Sequence, residues 1–73
     1  MEDAMKAEQL LTKAINTLNR WDAELEEEGG RETNLNRAMI SILEYGINHL
    51  DNRHTTPVRQ AIALAYAVLD SDA

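Results

Sequence analysis

The chain has 73 residues, no cysteine, and 13 acidic against 7 basic residues, a net charge of −6 with neutral histidines. A single domain of this size buries only about 60% of the surface its unfolded chain exposes. Without thiols, no disulfide framework or thiolate metal centre can hold it together.

The start, MEDAMKAEQL, has acids where an export signal has a basic end, and no apolar core follows, so a cytoplasmic protein is expected. Residues 3 to 27 then carry the clearest periodicity. Ala4, Ala7, Leu11, Ala14, Leu18, Trp21 and Leu25 are spaced alternately three and four apart, the a/d seam of a packed helix, and Leu10 and Ile15 widen the stripe. Gly29 and Gly30 stop this helix, because glycine closes a helix end in the left-handed region at no Cβ penalty.

A second helix is predicted from about residue 34 to 51, capped by Thr33 or Asn34. Leu35, Ala38, Met39, Ile42, Leu43, Gly46 and Leu50 form its expected core face, with Ile40, Tyr45 and Ile47 off that face. Gly46 costs about 1 kcal/mol relative to alanine inside a helix, which makes sense if another backbone passes close to it. The segment DNRHTTP makes the next turn, with Thr56 as N-cap and Pro57 at the first helical position, where its missing N–H loses nothing.

The last helix is predicted over about 57–69, and its centre, Ala61 to Leu69, is an unbroken apolar run. That run is about half the ~20 residues a bilayer span requires, so no membrane partner is expected. A helix apolar on every side is usually buried. The expected fold is therefore an all-α three-helix bundle, one long helix plus an antiparallel pair, forming one domain over 1–73. Its surplus apolar surface is expected to make a homodimer through Trp21, Met39, Ile40, Ile47, Ile62, Tyr66 and Leu69.

The chemistry-bearing residues point away from catalysis. Ser41 lies in the run MISIL with no base at a helical neighbour position, and Ser71 lies near the end of the chain. His49 and His54, with Glu44 and Asp51 nearby, match no familiar metal spacing, so neither metal nor cofactor is expected. Lys6, Lys13 and Arg20 recur every seven residues and read as an exposed strip pairing with acids on neighbouring helices. Glu24, Glu26, Glu27 and Glu28 crowd the C-terminal end of the first helix, and Asp70 and Asp72 follow the last. The helix dipole disfavours anions at both places.

These acids suggest a patch that docks a basic surface on a protein partner. The leading expectation is a small non-enzymatic interaction module, an adaptor or inhibitor. A nucleic-acid mimic with carboxylates set out like phosphates is the alternative. Third comes a DNA-binding regulator using the Lys6, Lys13, Arg20 strip, although the acidic excess disfavours binding of nucleic acid itself.

Overall fold

The three apolar periodicities become three helices. In the computed structural model, which describes residues 2–27 and 33–72, these are α1 (Glu2–Glu27), α2 (Thr33–Asn48) and α3 (Thr56–Asp72), with a 3₁₀ turn at Leu50–Asn52 before α3. No strand occurs among the described residues, and none of the helices is long and apolar enough to cross a membrane. At a rise of ~1.5 Å per residue α1 is about 39 Å long, which accounts for the 41 Å long axis of the molecule. The Gly29–Gly30 stop, with Arg31 and Glu32, lies outside the described residues.

The register is set at one glycine. A Cβ built on Gly46 would stand 2.7 Å from the Cβ of Ala61 and 3.3 Å from Cδ1 of Leu11, so α2 is pressed onto α3 and α1 at once. This is the close approach expected from a glycine inside an apolar helix. The short connections between these packed helices set α1 antiparallel to α2 and α2 antiparallel to α3. The link from Arg20 to Asp72 in turn shows that α1 and α3 run in the same direction.

The core is small and rich in alanine. Leu11, Ala14 and Leu18 from α1, Leu43 from α2, and Val58, Ala61, Ala65 and Val68 from α3 are buried, with Thr17 and Asn36 the buried polar residues. Leu10, Ile15, Trp21, Met39, Ile40, Ile47, Leu50, Leu64 and Leu69 pack around the core cluster, partly buried. The Thr17 hydroxyl donates to the Lys13 carbonyl at 2.9 Å, so its burial leaves no unpaired donor.

Four expectations need correction. First, α2 is rotated about its axis relative to the predicted face. Ile40 and Ile47 pack on the core, while Leu35 and Ile42 are 60% and 45% exposed and Ala38 is exposed too. Second, α3 is not sealed: Val58, Ala61, Ala65 and Val68 form its buried stripe, but Ala63, Tyr66 and Ala67 face outward. Third, the α-helical hydrogen bonding of α2 ends at Asn48, not at residue 51. The His49 ring Nδ1 takes the Tyr45 carbonyl at 2.9 Å, and the His49 backbone N–H bonds Gly46 at 3.3 Å instead. A side chain that competes for a carbonyl in this way tightens the chain into the 3₁₀ turn that follows.

Fourth, the start of α3 is shifted by one residue. The Thr55 carbonyl accepts the Arg59 N–H at 3.0 Å, which makes Thr55 the cap, Thr56 the first helical residue and Pro57 the second. Pro57 still loses no hydrogen bond there, because the first four N–H groups of any helix lack partners within it. The Thr55 hydroxyl donates backwards to the Asn52 carbonyl at 2.6 Å, tying the cap to the preceding turn. The other end of α3 runs on to Asp72, past the predicted limit at 69.

Candidate interaction surfaces

Two surfaces carry the exposed chemistry. The first lies where the C-terminal ends of the parallel helices α1 and α3 meet. There the Arg20 guanidinium forms an ion pair and hydrogen bond with Asp72 Oδ1, and the Trp21 indole N–H donates to the same oxygen at 3.2 Å. Hydrogen bonds from Arg20 and then Trp21 hold the Asp72 carboxyl below the usual aspartate range. The hydrogen bond to Asp72, followed by its charge, raises Arg20 further above an already high value, and Glu24 adds a smaller push. Asp72 sits at the wrong end of a helix dipole, and Arg20 is its compensation. Of the basic strip Lys6, Lys13 and Arg20, it is Arg20 that pairs with an acid on a neighbouring helix.

Of the acids expected to form a docking patch, Glu24 and Asp70 are exposed, and Asp72 is engaged by Arg20. The side chains of Glu26 and Glu27, and Glu28 entirely, lie outside the described residues.

The second surface was missed in the sequence. Between α2 and α3 runs an open groove of about 630 Å³ lined by Ser41, Ile42, Tyr45, Pro57, Gln60 and Leu64. None of these six is charged, in a chain where 27% of residues are. The corresponding α1/α3 groove, by contrast, is lined by Lys13, Arg20 and Asp72 among others. Three of the four large hydrophobic side chains most exposed among the described residues, Leu35, Ile42 and Tyr45, lie on this side of α2.

The signal was available as spacing. Leu35, Ala38, Ile42 and Tyr45 step by three, four and three, which is a second a/d stripe beside the buried one. Tyr45 stacks on His49 with centroids 3.9 Å apart and planes 16° from parallel, which fixes its ring at the edge of the groove. The Ser41 hydroxyl donates to the Arg37 carbonyl at 3.1 Å, so its proton is committed to the helix backbone.

The residues expected to self-associate divide differently. Trp21, Met39, Ile40, Ile47 and Leu69 are partly buried against the chain's own core, and Ile62 is half-buried. Tyr66 is 63% exposed. It lies two residues from Leu64, about 200° around the helix, and so points away from the α2/α3 groove. Among the described residues no three His, Asp or Glu side chains come together as a metal site.

The fold and its surfaces define a small three-helix bundle with an uncharged groove between α2 and α3. The chain matches no protein-family model, and no curated protein or solved structure is significantly similar to it.

Proposed function

We propose that this chain is a non-enzymatic protein-interaction module that docks another helical surface on its α2/α3 face. The observation that carries this reading is the coincidence of Leu35, Ile42 and Tyr45 on one exposed stripe with a groove that contains no charge. Exposed apolar side chains scattered singly are ordinary, whereas a contiguous apolar face bounded by polar residues is characteristic of an interaction site. A helix with apolar residues three and four apart, laid along such a groove, buries both stripes together.

Steric occupation of a partner's surface, as an adaptor or inhibitor, is the mechanism this geometry supports. Glu24 and Asp70 contribute to the long-range field of a chain with net charge −6, which favours approach by basic partners.

Selection of helical peptides from a display library against the purified protein tests the reading. Binders should lose affinity for the I42E/Y45E variant and keep it for E24K/D70K. Binders with the reverse dependence would transfer the function to the acidic end and overturn the assignment of the face.

A further inference from the structure

We propose that the occupant of the α2/α3 face is a second copy of this chain, packed about a two-fold axis that sets α2 antiparallel to the α2 of the other copy. This rests on the reading of that face as the docking surface and names its partner. Three observations support it.

The stripe is its own complement. Leu35, Ala38, Ile42 and Tyr45 are symmetric about position 40, so reversal of the helix superposes the stripe on itself. Leu35 then meets Tyr45 of the second copy, and Ala38 meets its Ile42, which sets a small residue against a large one. The neighbouring strip, Asn34, Ser41 and Asn48, is exposed and uncharged. It supplies a hydrogen-bonding rim to the apolar seam, the arrangement typical of protein interfaces.

Charge selects this face. Two copies bring together a net charge of −6 each, and contact through most of the surface would oppose like charges. The groove, with no ionisable carboxylate or cation among its six lining residues, avoids that opposition.

Area permits it. A standard interface buries about 800 Å² on each partner, roughly 15% of the 5193 Å² that the chain exposes, within reach of one lateral face of a three-helix bundle. The added burial matters to a chain whose fully or nearly fully buried core includes Ala14, Ala61 and Ala65.

Sedimentation velocity from micromolar to millimolar concentration, with far-UV circular dichroism as a check on folding, tests the proposal. Wild type should move from monomer to dimer, and I42E should weaken the dimer by at least about 30-fold while remaining helical. The natural chain has no cysteine, so single-cysteine variants report contacts cleanly. S41C should cross-link to its symmetry mate on mild oxidation, and E24C, on α1 and outside the groove lining, should not.

A wild type that stays monomeric at millimolar concentration overturns the second copy as occupant. The docking face itself is then judged separately by the peptide selection. A dimer that persists in I42E, or that cross-links through E24C and not S41C, overturns the proposal as well.

Discussion

Gly46→Ala is the substitution on which helix propensity and packing disagree most sharply. At an open helical position the change would stabilise α2 by about 1 kcal/mol. Here the new methyl would stand 2.7 Å from the Cβ of Ala61, and that atom is fixed to its backbone with no rotamer to escape into. Leu11 Cδ1, at 3.3 Å, can yield by a small rotation, but Ala61 moves only if α3 moves. Restoring ordinary contact separates α2 from α3 by more than half an ångström and loosens the packing around Leu11, Leu43 and Ala65. Overpacking of this kind costs about 1–3 kcal/mol. After subtraction of the propensity gain, the variant should be about 1 kcal/mol less stable than wild type.

For a domain of this size that is a fall in Tm of about 4–8 °C, read by circular dichroism at low, matched concentration because association would shift it. Ala61→Gly removes the clashing atom from the other side. It is destabilising alone, by about 1 kcal/mol for the helix. The G46A/A61G double variant should nonetheless be more stable than the sum of the two single changes predicts, with a coupling of about 1–2 kcal/mol. A Gly46→Ala protein that melts higher than wild type would refute the close approach, and with it the register of the bundle.

Two further outcomes follow from polar groups. The lowered carboxyl of Asp72 contributes stability that is fully present above the ordinary aspartate value of about 3.9 and is lost as pH falls through the lowered one. D72N should therefore flatten the low-pH end of the stability profile and change the fluorescence of Trp21, the only tryptophan. An unchanged acid limb would show that other carboxylates control it. Separately, Asn36 Nδ2 on α2 and Asp22 Oδ1 on α1 are buried with no protein partner. A buried unpaired donor costs about 1–3 kcal/mol, so Asn36→Leu should raise the urea midpoint. A lower midpoint would mean that the amide is bonded in solution, with Asp22 as the candidate acceptor, since the antiparallel register places it close to the same level.

The comparison of sequence and structure turns on α2. Its ends were legible because local chemistry sets them, although a histidine side chain moved one of them by capturing a carbonyl. Gly46 was legible as a point of close approach because glycine inside an apolar helix has few other reasons to be there. The face that α2 turns inward was not legible. The helix carries one stripe through Leu35, Ala38, Ile42 and Tyr45 and another through Met39, Leu43 and Gly46, offset by less than a third of a turn. Periodicity reports that such stripes exist and is silent on which one meets α1.

Local residue chemistry, then, determined three helices, their approximate spans, the seam of α1 and the point of closest approach, because periodicity, caps and glycine act over a few residues. The tertiary structure alone decided that α1 and α3 run parallel, so that Arg20 meets Asp72 across 52 positions. It also decided that Leu35, Ile42 and Tyr45 remain outside. The second outcome depends on how far α2 rotates before Gly46 seats against Ala61, and that fit between backbones is a property of three helices together.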